Sequence, residues 1–382
     1  MKIIHIINSL KKGGAEGNLY RLVKFHKKNY KAKINIIIVT LIGNGFYEFE
    51  LKKKGIKIFS LDINKKKNFF EIIKKIIKLR KFIKTQNPDI IQSWMYHSNF
   101  LTLFVPRNFF NKIFWNIRHS ILNLKMSKKT TIFVSLICSL FSRYVPKKII
   151  YCSEKSINFH EKKHFYDKKK SVLVDNGYSD KAYYPSKNQR LNFRKQHKIK
   201  KTDTVLGFAG RYAAEKNINS LLFAFSKIIK NYNNIFLYMV GKNINNRNKE
   251  LMNYVEDFKI KKNVVLLNEQ KNLLKFYNGI DLLLLTSHSE SFPNVIAEAM
   301  LCSTPVLSSD VGCSRKIIDD YGFIMKKNDK ESIFNNLKKS INFLQTKKKK
   351  WKFLKKKSAD KIKREFSVKK MANTYFKIWN FK

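Results

Sequence analysis

A chain of 382 residues with 79 Lys and Arg against 27 Asp and Glu carries a formal charge of +52. The length exceeds the roughly 250–300 residues at which single cores stop growing, so two domains are expected. Hydrophobic residues at 44% and aromatics at 14% exclude a disordered chain. Cys138, Cys152, Cys302 and Cys313 contain no C-x-x-C pair, which argues against a disulfide scaffold or a zinc ribbon and for a reducing cytosol.

In chain order, the apolar start Met1–Leu10 runs into Lys11-Lys12-Gly13-Gly14 with no small-residue cleavage site, so no leader is expected. Lys2–Ile7 reads as a strand and Gly14–Lys28 as a helix. Ile34–Thr40 and Ile56–Ser60 read as strands, Phe69–Thr85 as an amphipathic helix, and Asp89–Ser93, Lys112–Arg118 and Lys148–Cys152 as further strands. Thr130–Ser142 is apolar but falls short of the ~18 residues that span a bilayer, and reads as part of a buried or interfacial helix over Met126–Tyr144.

Gly177–Ser186, with Gly, Ser, Asp and Pro, reads as a linker, after which the pattern restarts. Thr204–Gly210, Ile235–Val240, Val264–Leu267, Asp281–Thr286 and Pro305–Ser309 read as strands, and Glu215–Asn231 as a helix. Strand–helix alternation on both sides of the break predicts an α/β protein of two doubly wound, Rossmann-like domains facing across a cleft, with ligands at the carboxyl ends of strands. The expected boundaries are residues 1–180, 181–366 and a final helix over 367–382 returning to the first domain. Lys347–Lys357 holds eight lysines in eleven residues, the pattern of a solvated helix face.

The charge has two readings. One is compositional drift, since Lys, Asn, Ile, Phe and Tyr are all abundant; the other is attraction to a polyanion or an anionic membrane. The excess is spread along the chain, +27 over residues 1–185 and +25 over 186–382, unlike a nucleic-acid-binding tail, and no nucleic-acid motif stands out. A polyanion-binding protein is the rival to an enzyme, and nucleic acid is not the expected partner.

The richest stretch is Glu290-Ser-Phe-Pro-Asn-Val-Ile-Ala-Glu298-Ala-Met-Leu-Cys-Ser-Thr-Pro305-Val, which follows an apolar strand. Glu290 falls on the loop above the strand end, and Glu298 about one and a half turns into the next helix. Carboxylates accept hydrogen bonds from sugar hydroxyls, and a helix N-terminus offers N–H groups to phosphate. No two aspartates lie two apart, so the D-x-D pair that would carry a divalent ion on a diphosphate is missing and no metal or other cofactor is expected.

This stretch resembles the signature of glycosyltransferase family 4, retaining enzymes of the two-domain GT-B fold. The resemblance extends to Gly210-Arg211-Tyr-Ala-Ala-Glu215-Lys216-Asn217, to Gly13-Gly14-Ala15-Glu16, and to Asn116-Ile-Arg118-His119-Ser120. It implies that Arg211 and Lys216 bind the donor diphosphate, that Gly13 and Gly14 let the backbone approach it, and that Glu298 binds the nucleotide ribose. It also implies catalytic positions for Glu290, which holds hydroxyls of the transferred sugar, and for His119, which approaches that sugar. His97 resembles a histidine on the acceptor side. The donor would be a nucleotide sugar. The acceptor would be a saccharide or lipid-linked saccharide, in lipopolysaccharide, O-antigen or capsule synthesis on the cytoplasmic face of the membrane. Another GT-B activity, epimerase or phosphorylase, is the alternative within the fold. The sequence departs from the family's pattern at Ser291 and Ser303, where glycine is usual, at Lys316, where an acid is usual, and after Asp175-Asn176-Gly177-Tyr178.

A peripheral membrane contact is expected from residues 100–142. This region combines Phe104, Phe109, Phe110, Phe114, Trp115 and Phe133 with Arg107, Lys112, Lys125, Lys128, Lys129 and the neighbouring Arg143. The Met126–Tyr144 helix is the main interfacial candidate.

Overall fold

The structure, a computed structural model, describes residues 1–30, 33–63, 69–122 and 127–380. The chain forms two compact units: Met1–Gly177 with Val368–Lys382, and Tyr178–Ser367.

Among the described residues, the first unit holds a seven-stranded sheet: β1 (Lys2–Ile7), β2 (Asn35–Thr40), β3 (Lys57–Ser60), β4 (Ile90–Trp94), β5 (Ile113–Ile117), β6 (Lys148–Tyr151) and β7 (Ser171–Leu173), in the order β3-β2-β1-β4-β5-β6-β7. All pairings are parallel. Because strand side chains alternate, β1 feeds two cores. Ile4 and Ile6 pack with Tyr96, Trp115 and Cys138, while Ile3 and Ile7 pack with Leu19, Leu22, Trp94 and Trp379. Burial on both faces explains why these strands read as continuous apolar runs. The helix Val368–Trp379 buries Met371, Ala372, Tyr375 and Trp379 in the second core, beside the helix Gly14–Asn29, and Trp379 Nε1 donates to Gln92 Oε1 at 3.0 Å.

The second unit holds β8 (Thr204–Ala209), β9 (Ile235–Val240), β10 (Val264–Leu266), β11 (Leu282–Leu285), β12 (Val306–Ser309) and β13 (Phe323–Met325), in the order β10-β9-β8-β11-β12-β13, again parallel. Leu221, Leu222 and Phe225 of the helix Ile218–Ile229 pack with Leu337 and Ile341 of the helix Lys330–Thr346 over β8 and β9. Among the described residues, no helix is long and apolar enough to cross a membrane.

Several local expectations change. Strands β7 and β13, three residues each, are additional to the strands expected from the sequence. The helix expected from Glu215 begins at Ile218, because Asn217 takes a left-handed backbone (φ +55°) and closes Ala214–Lys216 as a separate 3₁₀ turn. Pro293 caps the helix Asn294–Leu301 from outside its first turn. The linker is not a free tether. Tyr178 N–H donates to the Phe366 carbonyl at 2.8 Å, and the Tyr178 hydroxyl donates to Asn294 Oδ1. In the lysine-rich helix Lys348–Glu365, Trp351 and Leu354 pack into the core while Phe353 is exposed.

Candidate active site

In the second unit, β8 and β11 lie side by side, and the loops leaving their carboxyl ends carry the expected donor residues. The chain leaves β8 through Gly210-Arg211. Gly241, at the end of β9, has φ +149°, and a side chain there would collide with the Gly210 carbonyl. The two backbones touch where Arg211 departs, a contact that only glycine allows.

Lys216, on the 3₁₀ turn, points at the loop after β11. Its Nζ lies 2.5 Å from Glu290 Oε1, with both side chains only 16% exposed. The same carboxylate oxygen accepts from the Ser287 hydroxyl at 2.8 Å. The Ser287 carbonyl accepts from Ser309 Oγ at 2.7 Å and Asn328 Nδ2 at 2.9 Å, and Asn217 Nδ2 donates to the Asn328 carbonyl at 2.7 Å. Thr286 Oγ1 donates to the Lys216 carbonyl at 3.0 Å, and His288 N–H donates to the Glu215 carbonyl at 2.8 Å. The loops after β8, β11 and β13 and the last residue of β12 are thus tied around one Lys–Glu pair. Sequence reasoning named Lys216 and Glu290 in separate roles without pairing them, and gave no role to Ser287, Asn217 or Asn328. The available signal was small polar residues just past strand ends.

Arg211 is the open member of the cluster. Its side chain is 65% exposed and pairs with Glu215. Burial pushes the Glu215 carboxyl up, but the Arg211 hydrogen bond, its own backbone N–H and the nearby cations outweigh this and hold it below the usual carboxylate range. Gly312, with φ +53°, backs onto the Glu290 loop, where a side chain would strike the Glu290 and Ser291 carbonyl oxygens.

Glu298, on the fifth residue of its helix, belongs to a second grouping in the same unit. It accepts from the hydroxyl of the fully buried Tyr277 at 3.0 Å. Tyr277 was not foreseen, because an aromatic in an apolar run reads as core. Of the departures, Ser303 sits in the left-handed position (φ +58°) where glycine would be unstrained, whereas Ser291 has no positive φ. Lys316 is exposed on the short helix Ser314–Ile318, next to the Arg315–Asp310 pair at 2.7 Å.

The remaining candidates lie in the first unit. Gly13 is extended and caps the helix Gly14–Asn29, and both glycines are exposed. His97 is the second residue of the helix Tyr96–Leu101; partial burial of its ring, then the charge of Lys128, hold its imidazole below the usual range. His119, just past β5, is exposed; its ring stacks on Tyr96 at 5.7 Å, and its carbonyl accepts from the Ser156 hydroxyl. The Tyr96 hydroxyl pairs with His160 Nε2 at 2.7 Å. One buried tyrosine therefore underlies His119 and leads into His97. The neighbouring Arg118, to which sequence reasoning gave no role, is buried. It donates to Asn116 Oδ1 at 2.8 Å, to Asn176 Oδ1 and to the Tyr375 hydroxyl, and its guanidinium lies over Trp94 at 5.5 Å. Among the described residues, no three His, Cys, Asp or Glu side chains gather as a group able to hold a metal ion.

Comparison with known proteins bears on the unit that holds the Lys216–Glu290 pair. Residues 189–358 match the family described as Glycosyl transferases group 1. The chain carries a glycosyltransferase domain. It is 29% identical to the capsular polysaccharide biosynthesis glycosyltransferase CapM of Staphylococcus aureus over 41% of each chain. It is 26% identical to an uncharacterized glycosyltransferase of Methanocaldococcus jannaschii over 85% of this chain and 84% of that one. Its fold is similar to that of Anabaena HepE, solved with UDP-glucose, with a TM-score of 0.81 at 17% identity over 99% of both chains. The two doubly wound units share the GT-B fold of such structures.

Proposed function

We propose that the protein is a retaining glycosyltransferase that moves a sugar from a nucleoside diphosphate to a hydroxyl of a saccharide or lipid-linked saccharide, in assembly of a surface polysaccharide. The observation that carries this reading is the Lys216–Glu290 pair at the carboxyl ends of β8 and β11, with Arg211 at its open edge. An ammonium has three donors, so Lys216 can hold Glu290 and a phosphate oxygen together. The carboxylate then orients sugar hydroxyls, while the Arg211 guanidinium offers a planar fork to the diphosphate. In the reaction the anomeric C–O bond to phosphate breaks, a C–O bond to the acceptor oxygen forms, and the acceptor's proton passes to the departing phosphate oxygen. Negative charge grows on that phosphate, which is where fixed cations lower the barrier. Glu298 takes the ribose, and His119 and His97 serve the sugar and the acceptor.

The membrane part of the reading rests on an inverted helix. Lys129–Phe141 turns Ser135, Cys138 and Ser139 inward and leaves Phe133, Leu136, Leu140 and Phe141 exposed, continued by Tyr144. Lys128, Lys129 and Arg143 flank it on the surface. An apolar stripe with cations at its edge is the chemistry of an anionic bilayer surface. Phe114 and Trp115 are buried, as the strand expected over Ile113–Arg118 requires; Phe109 is buried as well and is removed from the expected contact, while Lys125 and Met126 lie outside the described residues.

A panel of sugar nucleotides tests the reading by thermal shift and product analysis. A donor at about 100 times its Kd adds ~2.7 kcal/mol of stability. Transfer with retention of anomeric configuration is the expected product. Absence of any nucleotide-sugar binding, or epimerisation of the donor without an acceptor, overturns it.

A further inference from the structure

We propose that Tyr277 is a positioning residue for ribose recognition: its buried hydroxyl holds the Glu298 carboxylate in the orientation that reads the ribose diol. The inference rests on the donor reading of Glu298 and goes beyond it by assigning the discrimination to a residue of a different helix.

Tyr277 lies on the helix Leu274–Gly279 with no solvent exposure, and its hydroxyl donates to Glu298 Oε2 at 3.0 Å. An ionised carboxylate only accepts, so the phenol must be the donor and the direction of the bond is fixed. The backbone carbonyl of Tyr277 accepts from Thr304 Oγ1 at 2.5 Å. Thr304 itself belongs to the turn that ends the Glu298 helix, since its N–H donates to the Ala299 carbonyl at 2.9 Å. The tyrosine is therefore joined to the glutamate's helix at its side chain and at its backbone. Its ring is packed edge-on against Tyr183 at 5.7 Å and Phe276 at 5.6 Å. A glutamate has three rotatable bonds, and a half-buried one without such a donor samples several orientations. A donor pinned from both sides selects one, and lowers the ordering cost when a diol arrives.

Calorimetric titration of the full chain tests this with the diphosphates of uridine, guanosine and adenosine, each as ribose and as 2′,3′-dideoxyribose. Wild type should prefer the ribose form of its best nucleotide by about tenfold or more. Tyr277→Phe keeps the ring and removes the hydroxyl. It should lose about five- to twentyfold in affinity for the ribose form and less than twofold for the dideoxy form, so the preference collapses. A merely structural tyrosine would weaken both forms equally, and an unchanged preference in Tyr277→Phe overturns the proposal while leaving the donor reading intact. If wild type shows no ribose preference, the assignment of Glu298 fails and the proposal falls with it. Should Tyr277→Phe not fold, Thr304→Val loosens the backbone anchor alone and should reduce the preference about threefold; an unchanged preference there is equally negative.

Discussion

Gly312 backs onto Ser291: the loop after β12 turns at Gly312 with φ +53°, and the next residue, Cys313, donates its N–H to the Ser291 carbonyl at 3.2 Å. The loop that carries Glu290 is therefore shaped from behind by a segment of the chain twenty residues later. Gly312→Ala meets both the left-handed backbone and the Glu290 and Ser291 carbonyls. It should cost about 1–3 kcal/mol of stability in the second unit and raise donor KM. Denaturant unfolding and donor titration check both effects, and a variant with wild-type KM would separate this buttress from the site.

Lys216 and Arg211 should behave differently although both are proposed to meet the donor diphosphate. Lys216 pairs with Glu290 with only 16% of each side chain exposed, so Lys216→Met leaves a largely buried carboxylate without its cation and should cost about 1–3 kcal/mol. Arg211, 65% exposed, pairs with Glu215 at the surface, and Arg211→Ala should change stability by less than about 1 kcal/mol. Both should lower kcat, because the charge they meet develops as the diphosphate leaves. Melting curves and steady-state kinetics on the two variants distinguish the roles; an Arg211→Ala variant with full kcat removes it from the transition state.

Ser303→Gly should stabilise the protein. Ser303 follows the helix Asn294–Leu301 in the left-handed position, where a side chain costs about 1–2 kcal/mol and glycine does not. Glycine's greater freedom in the unfolded chain offsets part of this, leaving a gain of about 0.5–1 kcal/mol, read as a rise of ~2 °C in the melting midpoint. A lower midpoint would mean that the serine side chain makes a compensating bond.

Acid should weaken the first unit well above the carboxylate range. Burial, and then His26, push His5 down to about 3; burial pushes His26 down to about 4. Burial pushes His160 down to about 3, against the raising effect of its bond to the Ser156 carbonyl. Below the unfolded value of about 6.5 the unfolded chain takes protons that the folded one refuses, so stability falls as pH drops through 6.5 and goes on falling toward 3–4. At pH 5.5 each histidine removes about 1.4 kcal/mol, or about 4 kcal/mol for the three, with nearly three protons taken up on unfolding. Melting midpoints between pH 7.5 and 5.5 measure this; a flat profile would mean that these rings are protonated in the folded state.

The fold was legible because both sheets are parallel and covered on two faces, which turns strands into apolar runs that a reader can place, as at Leu282–Leu285. Candidate site residues were legible where charge stood at a strand end, as at Arg211 and Glu290. What escaped was mostly uncharged: Ser287 and Asn328, which fix the Glu290 loop through one carbonyl, and Tyr277 and Tyr96, which look like core in sequence and are core, with a hydrogen-bonded hydroxyl. Asn217 stood in the motif beside Lys216, but its left-handed backbone, which separates Lys216 from the following helix, was not legible, because asparagine is common throughout the chain.

The exposed stripe of the helix Lys129–Phe141 gives the last prediction. Phe133 is 65% and Leu140 73% exposed, two turns apart on one side, while serines and Cys138 face the core. Burying two such side chains in a bilayer surface contributes about 1.5–3 kcal/mol each, and each basic residue held near an anionic leaflet adds about 1 kcal/mol. Lys128, Lys129 and Arg143 supply that second part, which decays within a Debye length of about 8 Å at physiological salt. The two contributions separate by experiment. Lys128→Glu with Lys129→Glu should make co-sedimentation with anionic vesicles fall and lose its salt dependence. Phe133→Ser with Leu140→Ser should weaken binding at every salt concentration while leaving the melting midpoint unchanged or higher, because neither side chain belongs to the core. If the serine variant melts earlier and still sediments with vesicles, the stripe packs against protein and the membrane contact lies elsewhere. If the wild-type protein stays in the supernatant with anionic vesicles at low salt, the lipid surface is excluded and a soluble saccharide becomes the acceptor to test.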